Sequence, residues 1–143
     1  MASNPTAAPA VPPSQQPIVT AILGFWQSRA IAAAADLALA DGIDSLSERT
    51  KTDGPSLFRL MRALESVKIF TQVSPRVFAN TSISNCLRTN VPGSLRSAAR
   101  AILSPGGGEY DAWAGFEHSL RAGEPAFDAL YGYNFWEFLK RNR

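Results

Sequence analysis

The stretch "DGPSLFRLMRALESVKIFTQVSPRVFANT", residues 53–81, decides the fold. Asp53 is placed to cap a helix that carries Pro55 in its first turn. Leu57, Leu60, Met61, Leu64 and Val67 then recur at helical spacing as one apolar stripe, while Arg59, Arg62 and Glu65 fall on other faces. Beyond that helix, "IFTQV" and "VFANT" are short β-rich runs around Ser74-Pro75-Arg76, which predicts a β-hairpin. Upstream, "IDSLSERTKT" leaves room for at most two helical turns. Short helix, turn, helix and hairpin, in that order, spell a winged helix-turn-helix.

Working outward, residues 1–16 are rich in Pro, Ala, Ser and Gln without a charged side chain, and are expected to be a disordered leader. Residues 17–143 form the folded domain. From Ile18 to Ala40 the chain is strongly helical, with Ile18, Ile22, Phe25, Trp26, Ala33 and Leu37 on one stripe and Val19, Leu23, Ile31 and Leu39 elsewhere. A helix apolar nearly all round must be covered on more than one side. It is either the seam of a homodimer or an ordinary central helix.

Downstream, "GSLRSAARAIL", "GEYDAWAGFEHSLRAG", "EPAFDALYG" and "NFWEFLKRNR" each read as one helix, the second closed by Gly123. Aromatic residues crowd this end beyond what the chain can bury. The fold class is therefore mainly α, with a winged helix-turn-helix core and one short β-hairpin.

Composition narrows the chemistry. At 143 residues, 45% hydrophobic and 18% charged, the chain suits one globular domain, and its net charge of +2 is too small to argue for nucleic acid. A single cysteine, Cys86, rules out an intrachain disulfide, fits a cytoplasmic setting and is expected to be a small packed hydrophobe. One histidine cannot build a metal site. No apolar run reaches the roughly 20 residues of a membrane span, and no signal peptide is evident. The triple glycine Gly106-Gly107-Gly108 invites a phosphate or nucleotide reading. No parallel strand precedes it, so the glycines are expected to turn a helix–helix corner.

Two further constellations can be weighed. Arg49, Lys51, Arg59, Arg62, Lys68 and Arg76 outnumber Asp53 and Glu65 across the winged helix, which raises a DNA-binding reading. The helix exposing Arg59, Arg62, Glu65 and Ser66 offers no Asn or Gln for adenine, and the hairpin tip holds one arginine, which argues against nucleic acid. His118 beside Glu117, with Asp111 upstream, could serve acid–base chemistry only if a pocket lay there; a half-exposed structural histidine is the plainer reading.

Taken together, "GFWQSRAIAAAADLALADGI", "LFRLMRALESVKIF", "VFANTSISNCL" and the run from Trp113 through "SLRAGEPAFDALYGYNFWEFL" resemble the N-terminal dimerisation domain of S-adenosylmethionine-dependent O-methyltransferases of the caffeic acid, acetylserotonin and hydroxyneurosporene type. The resemblance spans residues 18 to about 140. It implies an intertwined helical homodimer, with Ile18, Ile22, Phe25 and Trp26 at the partner subunit. It implies that Trp113, Phe116, Phe127 and Tyr131 line one wall of a pocket for a small aromatic or polyketide-like acceptor.

This chain departs from the family pattern in three ways. It is shorter between Gly42 and Thr50, it carries Lys68 where the family usually has glycine, and it lacks the Rossmann-like half with its cofactor loop and catalytic histidine. The expected role is thus dimerisation and substrate-pocket formation for a small-molecule O-methyltransferase. No catalytic residue, cofactor site or metal site is expected in this chain, and no membrane partner. The alternatives are a stand-alone dimeric binder of a hydrophobic aromatic molecule, or a cofactor-free enzyme acting on one, and a winged-helix DNA-binding protein.

Overall fold

The computed structural model describes residues 12–42 and 46–141. The first helix, α1, spans Gln16–Asp36, with Pro17 in its first turn. The expected leader lies for the most part outside the described residues, and its last residues turn directly into α1 through Gln15 N–H donating to the Pro12 carbonyl at 2.9 Å. A short 3-10 turn at Leu39–Asp41 follows. The helix-turn-helix consists of α2, Leu46–Thr50, and α3, Gly54–Ser66. The wing is the antiparallel pair β1, Phe70–Ser74, and β2, Val77–Asn80, with Phe70 opposite Asn80 and a register shift between Gln72 and Ser74. Six short helices complete the described residues: α4 Ser82–Asn85, α5 Arg96–Leu103, α6 Glu109–Ala114, α7 Phe116–Ala122, α8 Ala126–Tyr131 and α9 Phe135–Arg141.

The winged-helix core forms as its sequence pattern dictates. Asp53 accepts the Ser56 N–H at 2.9 Å and caps α3. The α3 stripe buries Leu57, Met61 and Leu64 against Phe70 and Phe78 of the hairpin and against Ala34, Leu39 and Ala40 at the end of α1. Glu65, expected on an outer face, is half-buried and accepts the Gln72 N–H at 3.3 Å, which ties the helix to the wing. Thr81 starts α4 with a reciprocal capping box to Ser84, and its hydroxyl donates to the Ile69 carbonyl at 2.7 Å.

Two helix boundaries differ from expectation. Helix α1 stops at Asp36 rather than Ala40, because Ala38 takes a left-handed conformation (φ +50°) that swings Leu39 and Ala40 into the core. The carbonyls freed at this end are taken up from far along the chain. Arg96 Nε donates to the Ala35 carbonyl at 2.8 Å, and Arg49 Nη2 donates to those of Ala38 and Gly42 at 3.0 and 2.8 Å. The run "GEYDAWAGFEHSLRAG" is two helices, α6 and α7, broken at Gly115, where a Cβ would lie 3.2 Å from that of Ala126. The close approach of α8 sets this break.

Helix α1 departs from the expectation that no segment suits a membrane span, since its 21 residues are long and apolar enough, by length and composition, to cross a bilayer. Its C-terminal half is nevertheless built into the domain. Ala32, Ala34 and Ala35 are buried, Asp36 pairs with Arg100 at 2.9 Å, and its other oxygen accepts the Ser104 hydroxyl at 2.7 Å.

Asp41 anchors the 3-10 turn, accepting the Thr89 N–H at 2.6 Å and the Thr89 hydroxyl at 2.5 Å. Burial pushes its carboxyl up, but the two Thr89 bonds, with help from Arg96 and Arg88, bring it below the usual carboxylate range. A depressed carboxylate stabilises the fold above its unfolded pKa and loses that contribution as pH falls through the folded value. Replacing Thr89 with Val is therefore expected to move the acid-unfolding midpoint to higher pH, read by circular dichroism along a pH series.

Lys68 sits in the left-handed region at φ +66°, joining α3 to the hairpin. Lys68→Gly is expected to raise stability by about 1 kcal/mol, whereas Met61→Ala in the same core should cost about 2–5 kcal/mol. Thermal and urea melts of the two variants give both signs.

Candidate functional site

Helices α6 to α9 gather the aromatic residues into one cluster. Phe127 is its buried centre, with ring centroids of Tyr131, Phe138 and Phe135 at 4.7, 5.4 and 5.5 Å. The last two meet it edge-on, the arrangement that the aromatic quadrupole favours. Gly123 and Gly132, both left-handed, end α7 and α8 and aim Phe127 inward.

A cavity of about 310 Å³ opens beside this cluster, walled by Trp113, Phe116, Ser119, Phe127 and Phe135. The expected pocket residues thus separate. Trp113, Phe116 and Phe127 line the cavity, with Trp113 and Phe116 stacked at 5.4 Å and Trp113 65% exposed. Tyr131 lies behind Phe127 and does not reach it. Its hydroxyl donates instead to Asp111 Oδ2 at 3.1 Å. Trp113 also borders a second cavity of about 420 Å³, between α1, α5 and α6, where it meets Phe25 and Arg29.

The residues expected at a subunit face lie together on α1. Ile18, Ile22, Phe25 and Trp26 are 66%, 52%, 53% and 64% exposed on the N-terminal half of α1. This juxtaposes two groups that the sequence treats separately: Phe25, from the subunit face, and Trp113, from the pocket, share one cavity.

The glycine corner is closed upon itself. Gly106 N–H donates to Asp111 Oδ2 at 2.8 Å, a Cβ on Gly107 would lie 2.3 Å from the Ala101 carbonyl, and one on Gly108 would lie 2.8 Å from the Phe138 ring. The loop joins α5 to α6, and no strand leads into it. These residues do not fit a nucleotide-type cofactor.

Other candidates also disperse. His118 is exposed, Glu117 pairs with Arg121 at 3.5 Å, and Asp111 is held by Gly106 and Tyr131, so no acid–base set assembles around the histidine. Among the described residues no cluster of His, Cys, Asp and Glu could hold a metal ion. Cys86, expected to pack, is exposed. Of the basic residues on the winged helix, Arg49 holds the Ala38 and Gly42 carbonyls of the turn after α1, Arg59 donates to the Ser56 hydroxyl at 2.9 Å, and Arg76 lies over the Phe58 ring at 5.0 Å.

Asp111 is the residue that sequence reasoning misjudged. It bridges the glycine corner and α8, and spacing alone pairs it with His118. Burial, then the Asp111 hydrogen bond and charge, push the Tyr131 phenol above its usual range. A raised phenol stabilises the fold fully below its unfolded pKa, and that contribution is lost as pH rises through the folded value. Asp111→Asn is expected to lower the Tyr131 midpoint in an ultraviolet titration, and Tyr131→Phe should cost about 0.5–1.5 kcal/mol at neutral pH.

With this geometry in place, comparison with known proteins gives a consistent result. Residues 19–90 match the O-methyltransferase dimerisation domain family. The chain is 31% identical over 128 residues to a phenazine O-methyltransferase of Lysobacter antibioticus, covering 85% of this chain and 37% of that protein. It is 33% identical over 133 residues to a 3-amino-4-hydroxybenzoate 4-O-methyltransferase of Streptomyces cremeus, covering 87% and 36%. Among solved structures, the pyocyanin biosynthetic protein PhzM superposes with a TM-score of 0.78 at 31% identity, over 90% of this chain and 40% of that one. NcsB1, an O-methyltransferase of neocarzinostatin biosynthesis solved with S-adenosylmethionine and 2-hydroxy-5-methyl naphthoic acid, superposes with a TM-score of 0.65 at 29% identity, over 80% and 37%. The chain spans little more than a third of the length of these curated relatives. It belongs to the O-methyltransferase dimerisation-domain family.

Proposed function

We propose that this domain pairs with a second copy of itself through the N-terminal half of α1, and that the aromatic cavity at Trp113, Phe116 and Phe127 is one wall of a pocket for a small aromatic acceptor. The observation that carries this reading is the division of α1. Ala32, Ala34 and Ala35 are buried, whereas Ile18, Ile22, Phe25 and Trp26 project together from the fold. A continuous apolar surface of that kind marks an interface, and a two-fold pairing would set each α1 against its symmetry mate.

The reaction served would be methyl transfer from S-adenosylmethionine to an acceptor hydroxyl, in keeping with the O-methyltransferase names of the Streptomyces cremeus relative and of NcsB1, the latter solved with S-adenosylmethionine. The described residues supply neither a cofactor cradle nor a positioned base, so the domain's share is to dimerise, to exclude water and to hold the acceptor ring. A cytoplasmic setting accompanies this reading, with α1 covered by protein rather than by lipid.

Light scattering behind a sizing column tests the pairing. The chain is expected at twice its own mass, and Ile22→Asp combined with Trp26→Glu is expected at the single mass with its helical signal kept. A wild-type chain at the single mass across micromolar concentrations overturns the reading.

A further inference from the structure

The cavity on the other side of Trp113 shares that ring with the proposed acceptor wall and Phe25 with the proposed subunit face, and its remaining walls are its own. Its volume of about 420 Å³ lies within the range of small-molecule sites. Its walls are Phe25 of α1, Ile102 and Leu103 of α5, and Tyr110 and Trp113 of α6. Besides the phenol of Tyr110 and the indole N–H of Trp113, the polar side chains lining it are Ser28 and Arg29. The Ser28 hydroxyl is turned away from any ligand, donating to the Gly24 carbonyl at 2.8 Å.

Arg29 is therefore the one charged group in an otherwise apolar and aromatic enclosure. Its guanidinium lies over the Tyr110 ring at 5.0 Å, and Nη1 donates to the Leu103 carbonyl at the end of α5. The planar fork is thus fixed in place by one edge and one face, with Nε and Nη2 still available as donors. A half-buried guanidinium held flat beside aromatic walls suits a carboxylate attached to an aromatic ring. The ring buries against the walls while the carboxylate takes charge-assisted hydrogen bonds.

We propose that this second cavity binds a planar aromatic carboxylate, with Arg29 as the anion-reading residue. Capping α5 needs one N–H of Arg29, and a residue with that role alone would leave ligand charge preference untouched. The two roles therefore separate in a binding experiment.

The probes are 1-naphthoate and its neutral isostere 1-naphthamide, titrated into the full chain by calorimetry, with tryptophan fluorescence as a second readout. Naphthoate is expected to bind about 10- to 100-fold more tightly than naphthamide, the range of a hydrogen bond to a charged group. Raising salt from about 0.05 to about 0.5 M should narrow that gap. Arg29→Gln is expected to abolish the preference, and Arg29→Lys to keep part of it; if Arg29→Gln fails to fold, the Lys variant and the salt series decide. Equal binding of the two probes, a preference that survives Arg29→Gln, or no binding of either overturns the proposal. Loss of naphthoate binding in Phe116→Ala with Arg29→Gln unaffected also overturns it, since that places the acid in the Phe127 cavity. None of these outcomes bears on the pairing of subunits, which the sizing experiment decides by itself.

Discussion

The structure depends on the close packing of the C-terminal half of α1. Ala32, Ala34 and Ala35 are small enough for α5 and α3 to approach the helix closely, and larger side chains there would hold them off. Asp36 then fastens the end of the helix to both Arg100 and Ser104. Arg29, about two turns earlier, reaches the carbonyl of Leu103 at the same C-terminal end of α5. The winged helix packs on one side of this seam and the aromatic helices on the other, so each half of the domain is positioned by the same few residues.

That arrangement explains why two surfaces of different character coexist in so short a chain. The winged-helix half satisfies itself: its apolar residues lie between α3, the hairpin and the turn after α1, and its polar ends are capped locally by Asp53 and Thr81. The aromatic half is made of helices of six or seven residues, too short to be stable singly and held by ring contacts around Phe127. Such a layer leaves gaps between its rings, and both cavities beside Trp113 are gaps of this kind. A basic helix-turn-helix elsewhere presents its charges to a groove. Here Arg49 is turned to the backbone after α1 and Arg76 to a ring face.

Features with a local cause were legible in the sequence. The Asp53 cap, the hairpin around Ser74 to Arg76 and the glycine stop at Gly123 each follow from residues within a few positions of one another. The end of α1 and the break between α6 and α7 were not legible, because distant partners decide them. Leu39 turns inward to fill a core made by α3 and the hairpin, and Gly115 yields to Ala126 of α8. The pocket shows the same division. The aromatic density announced a cluster, but whether a given ring lines a cavity or stands behind another depends on which helix face meets α8. Tyr131 falls behind Phe127 for that reason. Cys86 is exposed because Ser84 and Leu87 of its short helical turn take the buried positions.

Arg29 and Asp36 show what sequence pattern can and cannot carry. Both stand in a helix whose length and composition alone would suit a bilayer. Arg29 is half-buried, where an unmatched charge is costly, and Asp36 is exposed but paired. Both find their partners at the C-terminal end of α5, and the exposed apolar residues left over on α1 are those of the first turns, Ile18 to Trp26. Charge pairing thus assigns one half of the helix to its own domain. The remaining apolar surface is then a consequence of where the two ions sit, and its position next to the cavity shared by Phe25 and Trp113 follows from the same constraint.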